Sequence, residues 1–174
     1  MTRNEVLDRA EKFCKEHNIT TYPVRIIELC EKYGFKVYER YMATEVSGII
    51  IAQKENITGF DTSKLIMVNL SDSARRRRFT IAHELAHYIL HKTDENQVFA
   101  HRDAGQTNSL EIEANTFASA LLMPKKLIYD ALSYLSDDSR NISNSTLIKY
   151  IADSFVVSAQ AAQIRLEQLG VING

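Results

Sequence analysis

A chain of 174 residues is the size of one domain with room for a small subdomain, and 45% hydrophobic with 25% charged residues is an ordinary globular composition. Lys+Arg 21 against Asp+Glu 22 leaves a net charge of -1, so no global field draws the chain to nucleic acid or anionic lipid. No apolar run approaches the ~20 residues of a membrane span, and the opening Met1-Thr2-Arg3-Asn4-Glu5 leads into a polar amphipathic stretch instead of an apolar signal core.

Thr2 and Glu5 have the spacing of a capping box, and Val6, Leu7, Ala10, Phe13 and Cys14 follow as a helical stripe. A second helix is expected from Pro23, burying Val24, Ile26, Ile27, Leu29 and Cys30 and stopping at Gly34. Cys14 and Cys30 lie on apolar helical faces and lack the close spacing of a structural zinc pair, so they read as packing thiols of a reduced, cytoplasmic protein. From Phe35 the period becomes extended. Phe35–Tyr41, Val46–Ala52, Ile57–Phe60 and Lys64–Asn69 read as four short strands, and their brief connections predict a small antiparallel sheet covered by helices, an α+β architecture.

Ser71 or Ser73 can cap the next helix, whose first turns hold Arg75-Arg76-Arg77-Arg78, the unfavourable end for positive charge in the helix dipole. Such a run is either a solvated face paired in part with Asp72 or a contact for an acidic partner or phosphate. Between Arg78 and His91 there is no Gly or Pro, and apolar residues at 79, 82, 85, 86 and 89 recur at helical spacing. With about 100° of turn per residue, His83 and His87 stand one above the other and Glu84 sits beside them. This is the H-E-x-x-H arrangement: two imidazoles that can grip one zinc ion, and a carboxylate that can take a proton from its water. His91 is about 12 Å along the helix from His83, too far for one zinc to reach both, so His91 and His101 are expected outside the ligand set. The polar stretch Lys92–Asn108 has no period and is expected to border the site as a lid or substrate-binding loop.

A catalytic zinc normally has three protein ligands. The largely apolar helical segment Ser109–Pro124 offers Glu111 and Asn115 four residues apart on one face with the small Ala118, which suits a carboxylate ligand backed by an amide that orients a histidine. Glu113 points about 200° away from Glu111, so Glu111 is the favoured third ligand and Glu113 the alternative.

The two blocks, Arg78-Phe79-Thr80-Ile81-Ala82-His83-Glu84-Leu85-Ala86-His87-Tyr88-Ile89-Leu90-His91 and Glu111-Ile112-Glu113-Ala114-Asn115-Thr116-Phe117-Ala118 with Leu121-Leu122-Met123-Pro124, resemble the ImmA/IrrE family of metallo-endopeptidases. The resemblance implies a gluzincin-like zinc protease with His83, His87 and a glutamate as ligands and Glu84 as catalytic acid/base. It further implies a protein substrate, a helix-turn-helix repressor of a mobile element or stress response. That family often carries Gln where this chain has Glu113, which favours Glu111.

Beyond Pro124, Leu127, Ile128, Ala131, Leu132 and Leu135 mark another helix, and Ser136–Asn144 a polar loop. Thr146–Phe155, the turn Val156-Val157-Ser158 and Ala159–Leu169 have the pattern of a helix-turn-helix. Counted as exposed, its second helix offers Gln160, Gln163, Glu167 and Gln168 with Arg165 as the lone positive charge, which argues against direct nucleic-acid binding. The expected organisation is a zinc metallopeptidase domain over residues 1–135 and a C-terminal helical subdomain over 136–174 packed on it. The rival reading is a non-proteolytic metal-binding regulator that binds a repressor or DNA through its C-terminal helices.

Overall fold

The computed structural model describes residues 1–91, 97–102, 109–135 and 142–173. Among them the chain runs α1 (Arg3–Glu16), α2 (Ile26–Lys32), β1 (Lys36–Arg40), β2 (Val46–Ala52), β3 (Lys64–Asn69), α3 (Ala74–His91), β4 (Gln97–Arg102), α4 (Ser109–Leu122), α5 (Lys125–Ser133), α6 (Asn144–Phe155) and α7 (Ala159–Gln168). This is the α+β class expected. The polar stretches 92–96, 103–108 and 136–141 lie outside the described residues, so the expected lid is not described beyond β4. No described helix is long and apolar enough to cross a membrane.

Two compact units divide the chain: Arg25–Ala118, and Met1–Val24 with Ser119–Gly174. They cut it at positions other than the expected boundary between residues 135 and 136. The first unit is built on a four-stranded sheet of order β1-β3-β2-β4. The sheet is mixed where an antiparallel one was expected: β3 runs antiparallel to β2 but parallel to β1. β1 and β2 do reverse direction as a short connection demands, yet β3 inserts between them and so meets β1 in parallel. Ile57–Phe60, read as a strand, is instead a turn closed by Ile57 N–H to Thr62 O (2.7 Å) and Phe60 N–H to Ile57 O (2.8 Å), with Gly59 at φ +83°. Four residues around a glycine that must take positive φ suit a turn better than a ladder. The fourth strand comes from β4, inside the expected loop, where only Val98, Phe99 and Ala100 are consecutively apolar and no period could be read.

Along β2, burial alternates so that Gly48, Ile50 and Ala52 face inward. The central stretch of α3 packs on β2 and β3, and α2 leans on α3 and β1. Asn69 at the end of β3 is 2% exposed. Its Nδ2 donates to the carbonyls of Met42, Ala43 and Val46, while its Oδ1 accepts from Met42 N–H and Ser71 N–H. One amide thereby ties the β1–β2 connection to the segment entering α3, and Ser73 then caps that helix by accepting from Arg76 N–H. α2 begins at Ile26 and not at Pro23, and Ile27, expected in the core, is 48% exposed.

The second unit packs α1, α5, α6 and α7 around Val6, Ala10, Phe13, Ile128, Ile151, Phe155 and Leu166. The Thr2–Glu5 capping box starts α1 as the spacing predicts. α6 and α7 are joined through Val156 at φ 55°, and Ser158 caps α7 by accepting from Ala161 N–H. Arg165, expected at the surface, is 2% exposed: it donates to Met123 O (3.1 Å) and to Glu11 Oε1 (3.1 Å), and the same oxygen accepts from Lys125 N–H (3.0 Å) at the start of α5. The one positive charge assigned to the second helix of the helix-turn-helix is therefore consumed inside this unit. Both cysteines are buried, and burial pushes each thiol up to about 12, with Glu11 adding to the effect at Cys14 and Glu31 at Cys30.

Removing one partner of a buried ion pair strands the other. Glu11→Ala should destabilise the fold by about 3 kcal/mol, whereas Glu11→Leu combined with Arg165→Met should recover most of that loss. Thermal melts of the single and double variants check it.

Candidate metal centre

Eight consecutive residues of α3, Thr80 to His87, are buried, among them His83 at 8%, Glu84 at 0% and His87 at 1% exposure. Polar groups so placed must find partners inside the protein. The helical spacing brings the two imidazoles together, with His83 Nε2 and His87 Nε2 3.1 Å apart. α4 supplies the third group. Glu111 Oε2 lies 3.2 Å from His83 Nε2, and Glu111 Oε1 lies 3.3 Å from His87 Nε2. The first unit therefore brings His83, His87 and Glu111 together, each offering one donor atom within 4.8 Å of the others.

This group fits a metal ion on its own geometry. A tetrahedral shell with bonds of about 2.0 Å has donor-to-donor edges of about 3.3 Å, close to the spacings found. The tautomer agrees: Asn115 Oδ1 can only accept, so His83 Nδ1–H donates to it (2.9 Å) and leaves the Nε2 lone pair directed at the cluster. The charge balance agrees too. Burial first, and the Glu111 carboxylate second, push the Glu84 carboxyl well above the usual carboxylate range, the direction that a cation beside the two acids would oppose.

The remaining expected positions fall outside the cluster. Glu113 turns to His91 instead, its Oε2 3.8 Å from His91 Nδ1, with both side chains 9% exposed. Besides the contacts of Glu111, the pairs His83 with Asn115 and His91 with Glu113 connect α3 with α4. His101 lies in β4, whose side chains are outside the described residues. Tyr88 is engaged elsewhere, its hydroxyl accepting from Lys64 Nζ (2.9 Å) and its ring edge-on to Phe35. Of the arginine run, Arg76 pairs with Asp72 (3.4 Å) and Ser47 Oγ (2.7 Å), and Arg77 with Glu39 (2.9 Å).

Gly48 is a site residue that sequence reasoning passed over. A methyl group there would press into Thr80 Cγ2 and lie 2.9 Å from Glu84 Oε1, so only glycine lets β2 pass this close to the acid of α3. A lone glycine inside an apolar strand pattern was the available signal, since it marks close backbone approach.

Metal retention should follow this geometry. His83→Ala and Glu111→Ala should empty the site, Asn115→Ala should weaken metal binding about 10–100-fold by freeing the imidazole, and Glu113→Ala should keep the metal. Chelator competition on the purified variants measures all four, and an empty site in Glu113→Ala with a full one in Glu111→Ala would reverse the ligand assignment.

The model of the IrrE N-terminal-like domain, Peptidase_M78, matches residues 30–167. Similar proteins include Metallopeptidase ImmA of Bacillus subtilis (strain 168), 29% identical over 104 residues, which are 60% of this chain and 57% of that protein. Uncharacterized immunity region protein 2 of Bacillus phage phi105 is 28% identical over 113 residues, 64% of this chain and 67% of its own length. The chain thus spans little more than half of the ImmA protein. The family match runs from within α2 into α7 and takes in both helices that carry the histidine and glutamate cluster, so the chain belongs to the IrrE N-terminal-like family, Peptidase_M78.

Proposed function

We propose that this protein is a zinc-dependent endopeptidase of the cytoplasm that cleaves a helix-turn-helix repressor at a limited site. The observation that carries the reading is the convergence of His83, His87 and Glu111 around one point, with Glu84 on the same helix as both histidines. His83, His87 and Glu111 would hold the metal, whose chemistry when bound is to polarise the scissile carbonyl and acidify a water. Glu84 is the general base that accepts the water's proton and then delivers it to the leaving amine nitrogen. Its burial against Gly48 favours the neutral acid after that first transfer, which suits a group that must give the proton up again. Asn115 holds His83 in the tautomer that keeps Nε2 available.

The substrate must reach this cluster as an extended segment. β4 is an edge strand that, among the described residues, pairs with β2 alone, so its outer main-chain groups suit pairing with such a segment. A small enzyme of this kind has little room for deep specificity pockets, which favours an exposed linker of one partner over generic unfolded chains. Similarity to ImmA and to a phage immunity-region protein supports a repressor as that partner. The buried, unreactive thiols support a reducing compartment. Internal use of Arg165 removes the charge on which a DNA-binding alternative would depend.

Glu84→Gln should keep the metal and the fold while cleavage falls by about 10²–10⁴-fold, because the amide keeps the shape and cannot take the proton. Incubation with the helix-turn-helix protein encoded beside its gene, with and without chelator, reads the cleavage. Two defined fragments from the native enzyme are expected; equal turnover by Glu84→Gln would sink the general-base role, and ready digestion of casein would sink the limited specificity.

A further inference from the structure

Asn115 has two hydrogen-bonding ends, and the orientation of His83 uses one of them. Its Oδ1 accepts from His83 Nδ1–H (2.9 Å), which leaves the Nδ2 hydrogens to donate. Among the described residues Nδ2 has no acceptor. His83 is 8% exposed whereas Asn115 is exposed, so this side chain reaches from the surface of α4 to the edge of the buried cluster. The amide group is planar, and the bond made at Oδ1 therefore also fixes the direction of Nδ2, a donor held in place before anything binds to it. Holding the imidazole does not by itself call for an amide. A carboxylate at this position would accept from Nδ1–H through a stronger, charge-assisted bond and would favour a cation nearby. What the amide has and the carboxylate lacks is the donor.

The surface beside Asn115 suits a peptide. Ile112, three residues earlier and adjacent on the helix, is 52% exposed, an aliphatic surface that a substrate side chain would cover with gain. The hydroxyl of Thr116 donates to Ile112 O (2.7 Å) and is committed to its own helix. We propose that Asn115 binds substrate as well as positioning His83: its Nδ2 donates to a main-chain carbonyl of the extended segment, next to the scissile peptide bond, while a side chain of that segment lies on Ile112. This inference rests on the endopeptidase reading above. One side chain then sets the place of the peptide and the tautomer of a ligand imidazole together.

The test is isothermal titration calorimetry of the full, zinc-loaded chain with two amide-bearing hydroxamates. Acetyl-leucine hydroxamate carries a main-chain carbonyl on the amino-terminal side of the metal-binding group, and the hydroxamate of isobutylsuccinic acid N-methylamide carries one on the carboxy-terminal side. Their parents without the amide group are 4-methylpentanohydroxamate and 5-methylhexanohydroxamate. Asn115→Asp keeps an acceptor for His83 and removes the donor, so it should retain zinc and weaken at least one amide-bearing probe about fivefold more than its parent, the worth of one hydrogen bond. Should Asn115→Asp fail to hold zinc, Asn115→Ala at saturating zinc should show the same selective loss. A role confined to orienting His83 would weaken each probe and its parent alike; that result, for both probes, would overturn the inference and leave the endopeptidase reading intact. No binding of any of the four hydroxamates by the native zinc-loaded chain would overturn both.

Discussion

Two imidazole nitrogens 3.1 Å apart on a buried stretch of helix can be reconciled only by a proton or a cation shared between them, and the first unit is arranged around that demand. α3 packs on β2 and β3, and the stretch of the helix that carries His83, Glu84 and His87 is buried. The third donor therefore has to come from another helix. α4 can come close enough because Ala114 and Ala118 are small and fully buried, and its Glu111 and Asn115 arrive on one face, the first at both imidazoles and the second behind His83. Glycine at position 48 is the matching concession of the sheet, since any side chain there would occupy the space of Thr80 and Glu84.

Much of this was legible because it is local. The capping box of α1, the long apolar period of α3 and the four-residue spacing of Glu111 and Asn115 each follow from neighbours within one or two helical turns. The extents of α6 and α7 were readable for the same reason, with Ser158 as cap. What escaped the sequence depends on pairings between distant residues. Whether β3 lies outside β2 or between β1 and β2 is decided by packing, and the hydrophobic pattern of the three strands is the same either way. β4 is short and is held by its ladder with β2, so no period announces it. Arg165 belongs to a polar-looking stripe of α7, and only the arrival of Glu11, 154 positions away in sequence, makes its burial tolerable.

The arginine run shows how one segment can serve more than one end. Arg76 and Arg77 fasten the start of α3 to β2 and β1 through Ser47 and Glu39, which fixes where the helix begins and hence where its histidines stand one to three turns later. Arg77 and Arg78 also line a cavity beside α2.

The account rests on one metal held by two imidazoles and one carboxylate, and X-ray absorption spectroscopy of the zinc-loaded protein tests that most directly. It predicts only nitrogen and oxygen neighbours at about 2.0 Å, with outer-shell scattering of two imidazoles and no sulfur at about 2.3 Å. A sulfur neighbour, or scattering that requires one or three imidazoles, would contradict it.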